Sequence, residues 1–158
     1  MDIKSLLQSL LDHKVKFLVI GAWALPAYGH ERMTRDVDVF FEPTKSNAKQ
    51  LLKALAATGY DGIQDVPLKT ILSRKILMRG YVLQADTHPF VAGAKFRDAW
   101  KTRAETNIKG LKVFVPGLDQ LIAMKKAAGR PKDLEDLRVL EKLRERKRLA
   151  THRGSRRA

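Results

Sequence analysis

Thr34-Arg35-Asp36-Val37-Asp38-Val39-Phe40-Phe41 sets two aspartates into a run otherwise rich in β-branched and aromatic side chains, a composition that favours a strand. In a strand, residues i and i+2 project from the same face about 7 Å apart. Asp36 and Asp38 therefore aim at one point while Val37, Val39 and Phe41 face the other way. Magnesium prefers hard oxygen ligands and combines one or two carboxylates with substrate phosphates and water. Paired sites of this kind clamp the attacking and leaving oxygens of a phosphoryl transfer. The same pair, taken alone, is also what a solvated turn or edge strand carries.

Upstream, Lys16-Phe17-Leu18-Val19-Ile20 is a short apolar run that stops at Gly21, and Ala22-Trp23-Ala24-Leu25 suits a helix start. A strand that ends in glycine and opens a helix offers free amides at the positive end of the helix dipole, a setting for phosphate. An ordinary strand-to-helix turn has the same appearance. Pro26 limits this helix to about two turns, ending at Tyr28-Gly29.

Downstream, Tyr81-Val82-Leu83-Gln84-Ala85-Asp86 reads as the second arm of a hairpin turned at Arg79-Gly80. Asp86 is either a strand-end cap or a functional carboxylate. Further on, Leu118, Leu121, Ile122 and Ala128 form a helical stripe that includes Lys125. A lysine there either snorkels to the rim or points into a pocket that needs a fixed positive charge. Gly129 ends that helix and Pro131 suits the first position of the next. In the second helix Asp133, Asp136, Leu137 and Leu140 share one face. Two acids on a core-facing side are costly without partners; Lys125, Arg130 or a ligand would relieve them, and a plain salt-bridged helix pair is the competing account.

The stretch from Phe17 through Gly21-Ala22, Gly29-His30-Glu31-Arg32-Met33-Thr34 and Asp36-Val37-Asp38 resembles the signature of polymerase-β-type nucleotidyltransferases. The arginine, threonine and two aspartates in that order look most like the AbiEii/AbiGii toxin branch. The family pattern has glycine followed by glycine or serine, and Ala22 here removes a side-chain hydroxyl. The resemblance implies Mg2+ or Mn2+ on Asp36, Asp38 and a third carboxylate, Asp86, which would also prepare an acceptor hydroxyl. It implies an NTP whose phosphates meet the amides of Gly21 and Ala22, with Lys125 as the charge-neutralising catalytic lysine. It extends nucleotide binding to Arg32, Thr34, Arg130, Lys132, Asp133 and Asp136, since the toxin branch joins a lysine helix to an aspartate helix by this kind of Gly-Arg-Pro-Lys-Asp turn.

The rest of the chain narrows the class. With 158 residues, 44% of them hydrophobic, it can bury a real core. It has no cysteine, hence no disulfide, thiolate metal site or cysteine nucleophile. No apolar run approaches the roughly 20 residues of a membrane span, and a soluble, cytoplasmic protein without a membrane partner is expected. His13, His30, His88 and His152 are far apart in sequence and lack zinc-ligand spacing. Lys and Arg number 31 against 17 Asp and Glu, a formal charge of +14, with many of the cations crowded into the end of the chain. Such a field attracts polyanions, so RNA, tRNA included, is an expected acceptor, although a basic end of this kind also serves as a disordered solubilising tail.

The expected architecture is an α/β (α+β) minimal nucleotidyltransferase fold: a mixed sheet, covered mainly on one face and flanked by helices, with a C-terminal helix pair closing one wall of a cleft. Helices are expected at about Ile3–Asp12, Ala22–Tyr28, Lys45–Thr58, Leu118–Ala128 and Pro131–Arg146. Strands are expected near Phe17–Ile20, Val37–Phe41, Ser73–Met78, Tyr81–Asp86 and Leu111–Val115. Residues 59–70 show no clear period, and Phe96–Trp100 suits a short helix. Residues 1–147 form one unit in this reading, and 148–158 a disordered basic tail. The functional expectation is metal-dependent transfer of a nucleoside monophosphate from an NTP to an RNA or protein hydroxyl, in a toxin–antitoxin or phage-defence setting with a cognate partner protein. The alternative is a weakened site on the same fold, serving as a nucleic-acid-binding or regulatory module.

Overall fold

Asp2 accepts a hydrogen bond from the Ser5 amide and so starts α1 (Ile3–Asp12) with a side-chain cap. In this computed structural model, residues 2–60, 62–80 and 83–157 are described. Ile3, Leu6, Leu7 and Leu10 recur at helical spacing and are all buried. Full burial of one such leucine is worth about 2 kcal/mol. Thr44 caps α2 (Lys45–Ala57) in the same way, through the Asn47 amide.

The central sheet holds β1 (Phe17–Ile20), β2 (Asp36–Phe41), β3 (Ile76–Arg79) and β4 (Gln84–His88) in the order β1-β2-β4-β3. β2 runs antiparallel to β1 and parallel to β4, and β3 pairs antiparallel with β4. Period-2 alternation divides its side chains. Phe17, Val19, Val37, Val39, Phe41, Met78 and Ala85 join the large core shared with α1 and α2. Leu18, Ile20 and Phe40 face the other way and meet Phe96, Ala99 and Met124 in a smaller cluster. The mixed sheet flanked by helices is the expected one, and its second face is only partly covered.

Several elements differ from the sequence expectation. The segment after β1 is a 3-10 helix, Gly21–Tyr28, with Pro26 inside it; proline cannot donate the bond an α-helix needs. Ser73 ends a helix, α3 (Leu68–Ser73), rather than starting a strand, because Pro67 opens that helix and Ile71 is buried beneath it. In the stretch expected as a strand from Tyr81 to Asp86, Tyr81 and Val82 lie outside the described residues; β4 continues to His88 because Phe40 of the parallel neighbour pairs there. The short helix α4 (Phe96–Lys101) stands where expected. The next strand, β5 (Ala104–Ile108), was not foreseen. It forms a hairpin with β6 (Leu111–Val115) through Lys109 and Gly110, both at positive φ, 53° and 85°. Two positive-φ residues in a two-residue loop match the twist of the flanking strands.

α5 (Leu118–Ala128) ends at Gly129 with φ 61°, and α6 (Pro131–Ser155) begins at once with proline at its first position. α6 runs past Arg146 and through most of the segment expected to be a disordered tail. Leu, Ala, Lys and Arg are good helix formers, and they dominate this exposed end. Among the described residues, no helix is long and apolar enough to cross a membrane.

Candidate active site

The sheet register builds the site. Ile20 pairs with Asp38, Asp38 with Asp86, and Asp86 with Leu77, a row that crosses all four strands. Directly opposed residues of parallel strands share a face, so Asp38 and Asp86 stand side by side on the partly covered one, with Ile20 and Phe40. His88, two residues along β4, donates from its Nε2 to Asp38 Oδ1 at 2.8 Å. Asp38, Asp86 and His88 each place a ligand atom within 4.8 Å of the others. Asp36 lies further along the strand, opposite Gln84, and is not part of this three-residue group. The approach of His88 to Asp38 was not legible from sequence; it follows from the pairing of β2 with β4.

The charges around this group are mostly positive. Lys75 Nζ lies 2.7 Å from Asp86 Oδ2 and Arg79 Nη1 lies 2.8 Å from Asp86 Oδ1, so each carboxylate oxygen of this buried residue carries one cation. Burial pushes the Asp38 carboxyl up, but the hydrogen bond and charge of His88, together with Lys75 and Arg130, hold it below its usual range. Gly21 approaches from the end of β1 at φ +67°, and a Cβ there would sit 2.6 Å from Asp38 Oδ2. Only glycine fits this position, both for its conformation and for its contact.

A cleft of about 260 Å³ opens beside the group, lined by Gly21, Asp38, Lys75 and His88 on the sheet side and by Lys125, Arg130 and Asp133 from the helix pair. Ile20, Phe90, Val91 and Met124 supply an apolar wall. Loop 89–95 is pressed onto α5: a Cβ at Gly93 would fall 2.5 Å from the Ala123 carbonyl oxygen.

The helix pair carries the second charged cluster. Lys125, 4% exposed, donates to Asp136 Oδ2 at 2.7 Å and to Asp133 Oδ1 at 3.2 Å. Asp133 also receives the Arg130 guanidinium, through Nε at 2.5 Å, and the Arg130 amide at 3.3 Å. Asp136 is met by Arg32 Nη2 and His30 Nε2, each at 3.2 Å. Burial pushes both aspartates up, yet Arg130 and Lys125 at Asp133, and Lys125, Arg32 and His30 at Asp136, hold them below their usual range. The two acids that the sequence placed on the core side are thus neutralised by the chain itself.

Four residues singled out from sequence sit at the margin. Thr34 Oγ1 accepts from the Asp36 amide at 3.2 Å and lies 3.3 Å from its carbonyl, bracing the start of β2. Ala22, Arg32 and Thr34 line a separate recess with Trp23. Lys132 is exposed at the start of α6.

A family model described as "Nucleotidyltransferase of unknown function (DUF6036)" matches residues 1–145. No curated protein matches the sequence. Among solved structures, the lincosamide antibiotic adenylyltransferase LnuA, with lincomycin bound, superposes with a TM-score of 0.60 at 15% identity, over 90% of this chain and 98% of that one. ANT(2")-Ia in complex with adenylyl-2"-tobramycin gives 0.56 at 18% identity, over 99% and 97% of the two chains. Identities this low establish a common fold. Together these matches support the nucleotidyltransferase superfamily and do not single out the AbiEii/AbiGii branch.

Proposed function

We propose, for a chain that belongs to the DUF6036 family of nucleotidyltransferases, that the Asp38, Asp86 and His88 group is the centre of a metal-dependent transfer of a nucleoside monophosphate from an NTP to a hydroxyl. The observation that carries this is the convergence of two carboxylates and an imidazole within 4.8 Å, beside a cleft rimmed by lysine and arginine. The two carboxylates are hard oxygen donors of the kind Mg2+ or Mn2+ takes, and His88 holds Asp38 through its Nε2. Such an ion, when bound, neutralises phosphate charge and orients the reacting oxygens.

In this proposal the chain's own residues do the rest by position and charge. Asp38 and Asp86 would hold the ion, with His88 orienting Asp38, and Asp36 on the same strand face would be available for a second ion. Asp86 also aligns the acceptor hydroxyl. Gly21 and Ala22 bring backbone amides toward the phosphates. Lys125 and Arg130 set a positive wall opposite the carboxylates, with Asp133 and Asp136 fixing the orientation of Lys125. Arg32 holds Asp136, Thr34 holds the Asp36 backbone, and Lys132 stands at the rim. Residues 1–147 are taken as the catalytic unit.

For the acceptor, we favour RNA, because the formal charge is +14 and the far end of α6 presents an exposed, arginine-rich surface. An AbiEii/AbiGii-like setting with a cognate partner protein belongs to this version. A second reading, a small hydroxylated molecule, is favoured by the 98% coverage of LnuA: little of that lincomycin-bound chain lies outside the shared fold. Incubation with α-labelled NTPs, Mg2+ or Mn2+, and either RNA, protein, lincomycin or tobramycin separates these. Label transfer that vanishes in Asp38→Asn supports the enzyme and names its acceptor. Salt-sensitive RNA binding that survives Asp36→Asn and Asp38→Asn, with no transfer to any acceptor, supports a regulatory module instead.

A further inference from the structure

Asp86 is more heavily neutralised than a waiting metal ligand requires. Both of its oxygens are taken, Oδ2 by Lys75 at 2.7 Å and Oδ1 by Arg79 at 2.8 Å. The two cations are not equivalent. Lys75 lines the cleft with Asp38, His88 and Arg130, and its charge is among those acting on the Asp38 carboxyl. Arg79 instead lines a second recess, with Tyr60 and Leu83. Lys75 immediately precedes β3, an edge strand, and its side chain is 44% exposed. A long, flexible, half-exposed ammonium is easily moved from one anion to another. Nothing comparable holds at Lys125, whose Nζ is buried between two aspartates.

We propose that Lys75 is an exchangeable counterion: in the empty site it occupies Asp86, and when the triphosphate arrives it transfers to a phosphate oxygen and frees Asp86 for the metal. This rests on the metal and nucleotide site proposed above. The exchange trades one charge-assisted hydrogen bond for another, so it costs little when both ligands are present. A metal ion arriving alone must displace an ammonium with no second anion to receive it, and a triphosphate arriving alone must compete with Asp86 for it. Each ligand therefore strengthens the other, by a factor that linkage makes reciprocal. Arg79, which is not among the residues lining the cleft, stays on Asp86 throughout and keeps its carboxylate oriented.

Removing the Lys75 charge should act in opposite directions on the two ligands. In Lys75→Met, Mn2+ binding without nucleotide, read by loss of the free-ion electron paramagnetic resonance signal, should tighten about tenfold. Binding of metal-free tripolyphosphate, a probe that carries the phosphates without a base, should weaken about tenfold by calorimetry. Lys75→Arg should restore tripolyphosphate binding, and thermal melting should show the variants folded. A side chain with a purely structural role would move both affinities the same way or neither, and either result overturns the Lys75 inference while leaving the metal site in place. Absence of Mn2+ binding in both wild type and Lys75→Met overturns the metal site itself, and this inference with it.

Discussion

Two groups of aspartates face each other across the cleft, and they are neutralised differently. On the helix pair, Asp133 and Asp136 are fully buried, and their shared partner Lys125 is buried with them. On the sheet, Asp86 is also buried, but its partners Lys75 and Arg79 have side chains 44% and 46% exposed. The charge chemistry is the same, but the cation shared by the helix aspartates, Lys125, is locked in by burial, whereas Lys75 on the sheet is half-exposed and able to move. A buried pair that loses one partner strands the other charge in a poor solvent, so the helix cluster is a rivet. An exposed cation gives up little when it moves, so the sheet cluster can accept an incoming ligand. The difference teaches that carboxylate pairing alone does not separate a structural cluster from a binding one; whether a buried cation is shared between the acids does.

The comparison can be broken most forcefully at the rivet. Lys125→Met leaves two buried carboxylates without their common cation and should cost about 3–5 kcal/mol, measured by denaturant unfolding. If stability is unchanged, the helix cluster is not structural. At the sheet the outcome should reverse. Asp38→Asn should leave unfolding nearly as it was, while transfer of label from an α-labelled NTP falls by about 10²–10³-fold, the scale of losing one electrostatic contact to the transition state. Gly21→Ala should affect both properties. Its positive φ and its contact with Asp38 predict a loss of about 1–3 kcal/mol, together with weakened Mn2+ binding as the Asp38 carboxylate is displaced.

Acid should reach the rivet through its aspartates. Despite their burial, Asp133 is held below its usual range by Arg130 and Lys125, and Asp136 by Lys125, Arg32 and His30; in the unfolded chain they return to about 3.9. The stability they lend is therefore full above about pH 4 and is lost as pH falls through the lower folded values. Unfolding measured against pH should show a decline below about pH 4 that becomes shallower in Asp136→Asn. The smallest effect belongs to Thr34→Val, which removes the side-chain bonds to the Asp36 backbone and should cost about 1 kcal/mol.

Much of this was legible in the chain, for identifiable reasons. Asp36 and Asp38 announce themselves because strand geometry ties i to i+2 locally. The turn Gly129-Arg130-Pro131 announces itself because glycine and proline have local backbone preferences. The burial of Asp133 and Asp136 follows from helical spacing, and the identity of their relief, Lys125 and Arg130, was among the partners foreseen. His88 was not visible as a neighbour of Asp38, because their approach depends on which strands pair and in what register. Lys75 and Arg79 escaped for the same reason: their target, Asp86, lies across a hairpin whose alignment the sequence leaves open. The hairpin from Ala104 to Val115 did leave a local signal, Lys109-Gly110 between two β-rich runs. Pro26 was legible as a limit on helix length, and its effect was to leave a 3-10 helix instead of an α-helix.

The central claim, that the open cluster takes a divalent ion while the buried one does not, is tested most directly by titrating Mn2+ into wild type, Asp38→Asn and Asp133→Asn. The account predicts that wild type and folded Asp133→Asn deplete the free-ion signal alike, and that Asp38→Asn loses this binding. Mn2+ binding that persists in Asp38→Asn, or that disappears in folded Asp133→Asn, would contradict it.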